Sequence, residues 1–313
     1  AFDLYTKAAD QNSIRGQTSL AMMHFNGKLV KQDYLIAFDL LKKVENYPGG
    51  EYAQFILGHM YLSGLGVKKD LKESLSWFRK SAEQKFALAQ LEVGVFLFNG
   101  NGVPKNYEES VIWYTKAAEQ GLASAQSNLG NAYFLGNGVA KDYKQAFNWY
   151  TKAAKQGNDQ AQSNLGILYQ YGYGVTKDYK KALDFYTKSA ERGLSKAQHN
   201  LALMYENGKG VSINQQKAIF WYTKAAEQGL SLSQFNLAQL YSSENVGNFK
   251  EAIRWYEECK ETEFMGKFQL GLLIHMGIGI EKDEDRGLRL LREAAEVGDH
   301  ATKLKLADYL SKL

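Results

Sequence analysis

A Gly-Val pair recurs as Gly66-Val67, Gly102-Val103, Gly138-Val139, Gly174-Val175 and Gly210-Val211, each copy falling 36 residues after the last. An aromatic pair keeps the same register, as Trp77-Phe78, Trp113-Tyr114, Trp149-Tyr150, Phe185-Tyr186 and Trp221-Tyr222, and returns slightly early as Trp255-Tyr256. A period of this length describes one small supersecondary unit that cannot bury its apolar face alone. Successive units must therefore stack on one another to make a continuous core.

The cleanest unit contains two helical patterns separated by a glycine turn. In the second, Tyr143, Ala146, Phe147, Tyr150, Ala153 and Ala154 lie on one face of a helix at about 100° per residue. Asp142 with Gln145 three residues on predicts a capping box at its start, and Asp33, Asp70, Asn106, Asp178, Asn214, Asn248 and Asp283 hold the same place in other units. Gly121, Gly157, Gly193, Gly229 and Gly298 are expected to stop these helices in the left-handed conformation. The first pattern puts Ala125, Leu129, Ala132 and Tyr133 on one face, with Gly130 beside them to permit a close approach. The predicted fold is all-α, a solenoid of about eight helix-turn-helix repeats.

These residues closely resemble the Sel-one-like repeat family, a branch of the tetratricopeptide-like α/α solenoids. The stretch AQSNLGNAYFLGNGVAKDYKQAFNWYTKAAKQG, from Ala125 to Gly157, follows the family's pattern of Ala, Leu-Gly, Tyr, Gly-x-Gly-Val, Asp, Ala, Trp-Tyr, Ala-Ala and Gly nearly throughout. The departures are His24 and Leu97 in the Tyr place, Gly279-Ile280 for Gly-Val, and a shortened turn between Ser242 and Lys250. The resemblance covers essentially the whole chain and implies a single right-handed superhelical solenoid over residues 1–313, with first helices on the concave side. Ala1 aligns with Ala146 inside a second helix, so the chain is expected to begin mid-repeat, with residues missing upstream.

Composition narrows the function. The net charge of +4 arises from 38 basic and 34 acidic residues mixed along the chain, which gives no long-range field to attract nucleic acid. The single cysteine, Cys259, stands where other units carry alanine, and excludes both a disulfide framework and a cysteine metal cluster. No apolar run reaches the roughly 18 residues of a membrane span. The five histidines lack the close helical spacing of metal ligands, and glycine turns such as Gly136-Asn137-Gly138 lack the preceding strand of a phosphate loop. No cofactor is expected, and no catalytic set is present.

The chain therefore reads as a scaffold or adaptor that holds a protein or peptide. Relative to the buried face of Ala125, Leu129 and Tyr133, positions 127, 131 and 134 point away. Shifted by the repeat, they give Phe55, His59 and Leu62, then Leu91, Val95 and Phe98, then Ser127, Asn131 and Phe134. Ser163, Ile167 and Gln170 follow, then His199, Leu203 and Glu206, then Phe235, Gln239 and Ser242. The first two sets are almost wholly apolar and the later ones polar. They form either a docking strip for an apolar peptide or helix, or packing between repeats. A column of Asn128, Asn164, Asn200 and Asn236 could grip an extended backbone or form a ladder between repeats. Trp77, Trp113, Trp149 and Trp221 are expected to pack between units.

The resemblance implies complex assembly, signalling, envelope or degradation scaffolding. In bacterial members, such as those of Legionella, it implies virulence through contact with host proteins. The alternatives are an envelope protein that binds a glycan or accompanies an enzyme, and a regulatory subunit of a membrane enzyme. The compartment is open: the chain is expected to be soluble, with secreted or periplasmic placement depending on a signal outside it.

Overall fold

Eighteen α-helices make up the computed structural model, which describes residues 2–11 and 13–311; Ala1, on which the mid-repeat expectation rests, lies outside them. The helices form a repeat solenoid of eight to nine units, with no strand among the described residues. Most helices run 13 residues, and in six of the units the first and second helix are joined by a turn in which two glycines take positive φ; the α2–α3 turn has Gly27 and Leu29 there, and the α14–α15 turn Gly247 alone. Two compact units divide the chain, one of residues 1–161 and 173–175, the other of residues 162–172 and 176–313.

The first compact unit holds α1 (Phe2–Asp10), α2 (Ile14–Asn26), α3 (Tyr34–Val44), α4 (Glu51–Ser63), α5 (Leu71–Glu83), α6 (Ala87–Asn99), α7 (Tyr107–Glu119), α8 (Ala123–Leu135) and α9 (Tyr143–Lys155). Hairpins pair α2 with α3, α4 with α5, α6 with α7 and α8 with α9, and each second helix also packs on the next first helix where α5 meets α6 and α7 meets α8. The boundary falls within α10 (Asp159–Tyr171). The second compact unit continues with α11 (Tyr179–Glu191), α12 (Ser195–Asn207), α13 (Gln215–Glu227), α14 (Ser231–Ser242), α15 (Phe249–Cys259), α16 (Phe264–Met276), α17 (Glu284–Val297) and α18 (His300–Leu310), paired the same way.

Helix ends follow the cap chemistry, with two differences. Asp142 Oδ1 accepts from the Lys144 and Gln145 amides at 2.9 and 3.0 Å. Its own N–H donates to the Tyr133 carbonyl at 2.9 Å, so the contact expected back from Gln145 is replaced by a bond to the preceding helix. Gly121, Gly157, Gly193 and Gly229 take positive φ as predicted, whereas Gly298 has φ −75° and ψ 168° and ends α17 in an extended conformation.

Small residues set the closeness of packing. Ala53, Ala89 and Ala125 on first helices are almost wholly buried, as are Ala37 and Ala146 on second helices. Polar staples run through the same seams. Gln84 Nε2 donates to Gln54 Oε1 at 2.7 Å, Gln120 to Gln90 at 2.7 Å and Gln156 to Gln126 at 2.9 Å, each bond joining the end of a second helix to the first helix of its own hairpin. Gln90 and Gln126 in turn donate at 3.1 Å to the carbonyls of Ala82 and Ala118. Buried amides of this kind hold register because an unsatisfied one costs about 1–3 kcal/mol. Cys259 is fully buried, and burial pushes its thiol up to about 12, consistent with a packing residue and not a nucleophile. Among the described residues no helix is long and apolar enough to cross a membrane.

Candidate functional site

The second member of the aromatic pair organises the first-helix face. Tyr150 is 1% exposed, and full burial of a ring this size stabilises by about 2 kcal/mol. Its ring lies flat against Gly130 of α8, where an added Cβ would stand 2.6 Å from ring carbons, so the close approach expected at Gly130 is to a ring. The hydroxyl emerges at the first-helix face and needs a partner. Tyr150 donates to Asn131 Oδ1 at 2.7 Å. In the second compact unit Tyr186 donates to Gln170 Oε1 at 2.8 Å and Tyr222 to Glu206 Oε2 at 2.6 Å, while the Tyr256 hydroxyl lies 3.4 Å from Ser242 Oγ. The polar residues at 170, 206 and 242 are thus partners of buried phenols. Burial raises the pKa of Tyr114, to about 12, and also raises those of Tyr186 and Tyr222.

The three outward registers do not behave alike. The register of Phe55 turns into the seam between repeats: Ser127, Ser163 and His199 are buried, and Phe55 and Leu91 half-buried. The Phe55 ring centroid lies 5.8 Å from that of Phe78 and 5.2 Å from that of Phe86, where the next repeat begins. His199 Nδ1 lies 2.8 Å from Ser233 Oγ on α14, and burial pulls its pKa down to about 4. The registers of His59, Val95 and Asn131 and of Leu62, Phe98 and Phe134 are half-buried. Leu91, Val95 and Phe98 also pack against the core of the following hairpin, so they serve the seam and the face together. The most open stripe of α8 runs Ser124, Asn128, Asn131 and Leu135, and that of α6 runs Leu88, Glu92, Val95 and Asn99. The outward face is therefore rotated by about one residue from the angular expectation, because second helices crowd one side of each first helix.

Val95, Phe98, Asn99, Tyr114, Asn128 and Asn131 line a cleft of about 300 Å³. Four of the sequence candidates meet there. A larger apolar cleft of about 810 Å³ lies nearer the chain start, lined among others by Tyr5, Ile14, Thr18, Met22, Met23 and Tyr52. In the asparagine column, Asn128 lies beside the Tyr114 phenol and Asn236 Nδ2 donates to the Tyr222 hydroxyl at 3.3 Å. Asn164 is 9% exposed, and Asn200 is half-buried. At Asn128 and Asn236 the column thus meets tyrosine phenols, and Asn128, Asn200 and Asn236 stay half-buried. Trp77 and Trp113 are buried on the other side of the second helices, with Lys80 and Lys116 ammonium groups 3.8 and 4.0 Å from their ring centroids.

Two features escaped the sequence reading. Glu92 belongs to the asparagine column, 36 residues before Asn128, and its register alone could have disclosed it. It is half-buried, with no hydrogen bond or ion pair among the described residues, and burial raises its carboxyl pKa. Charge is also sorted by helix. First helices α4, α6, α8, α10 and α14 contain no lysine or arginine and α12 only Lys196, whereas α5, α9, α11 and α13 carry two or three cations each.

The Sel1 repeat model matches residues 1–13, 14–43, 51–86, 87–122, 123–158, 159–194, 195–230, 231–258 and 265–299. The protein c5321, a protective antigen present in uropathogenic Escherichia coli strains with an SLR fold, is 32% identical with a TM-score of 0.85, over 100% of this chain and 68% of that one. A Sel1 repeat protein from Oxalobacter formigenes is also 32% identical, with a TM-score of 0.71, over 79% of this chain and 98% of that one. No curated protein sequence matches the chain.

Proposed function

Since the chain belongs to the Sel1 repeat family, we propose that it is a non-catalytic scaffold whose first-helix face, in the first compact unit, holds a segment of a partner protein. The observation that carries this reading is the cleft at Val95, Phe98, Tyr114, Asn128 and Asn131, where apolar walls meet amide groups at one opening. Apolar surface with a few placed polar groups is the usual make-up of a recognition site. The strip His59, Leu62, Val95 and Phe98 extends it along α4 and α6. The asparagines supply donors and acceptors to the bound backbone. The finer reading is a bacterial virulence factor that contacts a host protein, which likeness to the protective antigen c5321 supports.

Replacing Phe98 and Leu62 by serine tests it. Partner capture is expected to fall at least tenfold, with only a few degrees lost from the melting temperature, because both side chains are half-buried. A large loss of melting temperature with unchanged capture would assign the strip to packing alone.

A further inference from the structure

The phenol column is interrupted at Leu41, Phe78 and Leu291, and in the register that follows Phe78 stands an acid. In the repeat built from α4 and α5 the ring is Phe78, which is fully buried and carries no hydroxyl. By the repeat, Glu92 stands to Phe78 as Asn128 stands to Tyr114 and as Asn236 stands to Tyr222. Both asparagines meet a phenol at that place, whereas the ring in the register of Glu92 carries no hydroxyl; the charge of Glu92 acts instead on the Tyr114 phenol of its own hairpin, raising that group's pKa. His59 packs edge-on against the Phe78 ring, the centroids 5.0 Å apart, and burial lowers its pKa. A carboxylate on this face takes a donor where one exists, as Glu206 does from Tyr222 at 2.6 Å. Glu92 has none. It lies on the open stripe of α6 with Leu88, Val95 and Asn99, and α4, α6 and α8 contain no cation to neutralise it.

We infer that Glu92 is the anchor for a lysine or arginine side chain of the partner, presented between apolar residues that fill the strip along His59, Leu62, Val95 and Phe98. A half-buried carboxylate without a donor is a cost to the folded chain, and a cation from outside supplies the missing hydrogen bonds while restoring charge balance. The absence of lysine and arginine from the neighbouring first helices leaves that role to the partner and repels nothing basic that approaches. This inference rests on the docking reading above and names the chemistry of its occupant.

The test pans a randomised dodecapeptide library against the whole chain, against Glu92→Lys and against Phe98→Ser, with Val95→Asn as a second cleft variant should Phe98→Ser disturb folding. The wild type is expected to enrich peptides with lysine or arginine flanked by apolar residues, Glu92→Lys to enrich aspartate or glutamate at that place, and the cleft variants to lose both. For the enriched basic peptide, Glu92→Gln should weaken binding by roughly tenfold. The same variant should leave the melting temperature equal or higher, since it removes an unpaired charge. Identical enrichment by wild type and Glu92→Lys, lost in the cleft variants, overturns the role of Glu92 and leaves the docking face standing. Binding untouched by the cleft variants, or no enrichment at all, overturns both. A lower melting temperature for Glu92→Gln with unchanged binding makes Glu92 a structural acid and overturns the inference.

Discussion

At the residue scale, the face of this solenoid is governed by what a buried ring leaves at its tip. Tyrosine leaves a hydroxyl, and the residues at Asn131, Gln170 and Glu206 answer it. The drift from apolar to polar along the first helices, legible in the sequence as Leu62, Phe98 and Phe134 against Gln170, Glu206 and Ser242, therefore has two causes. In the second compact unit the polar residues complete phenol hydrogen bonds. In the first, apolar residues stay half-open beside the cleft.

His199 shows how the seam differs from the face. Its neutral ring is 6% exposed, and burial lowers its pKa from 6.5 to about 4. Between those values the unfolded chain binds more protons than the folded one, so the stability His199 contributes is present above pH 6.5 and is lost as pH falls toward 4. The shift corresponds to about 3 kcal/mol. Urea unfolding midpoints measured above pH 6.5 and near pH 4 should fall accordingly, and His199→Gln should flatten the fall. An equal fall in the variant would place the sensitivity elsewhere. Periodicity assigned His199 outward because it counts angles about one helix; the hydrogen bond to Ser233 belongs to a different helix, which no single-helix count contains.

At the scale of the element, the turn is what the glycines protect. Gly138 has φ +73°, and a Cβ there would press on the backbone of Tyr107 in the preceding repeat, whereas Gly121 has φ +91° with open space around it. Gly138→Ala is therefore expected to cost about 2–4 kcal/mol, from strain plus collision, and Gly121→Ala about 1 kcal/mol from strain alone. Thermal melts of the two variants should keep that order; a reversed order would mean that the turn does not contact the repeat before it.

Most of this architecture was legible because caps, glycines and the 36-residue period agree with one another. Asp33, Asp70 and Asp142 cap helices as their positions predict. The glutamine staples were not legible. Gln54, Gln90 and Gln126 resemble surface residues in composition, and their partners come from elsewhere in the fold: a glutamine at the end of the second helix of the same hairpin and, for Gln90 and Gln126, a carbonyl of the preceding repeat. The rotation of the open stripe was hidden for a like reason: which flank of a first helix is covered depends on where the second helices lie.

Across the whole molecule, a net charge of +4 concealed an order visible only once helices were assigned. Cations gather on the second helices, several of them over tryptophan rings, and the first helices from α4 to α14 carry only Lys196. Sel1 repeats built this way offer two chemically distinct faces, one basic and aromatic, the other apolar with amides and few acids. The account assigns partner binding to the second of these. A photo-crosslinking amino acid placed in turn at Val95, at Asn131 and at the exposed second-helix position Asn148 compares them directly. The first two sites should crosslink one and the same partner protein and Asn148 should not; crosslinking from Asn148 with none from Val95 or Asn131 would contradict the account.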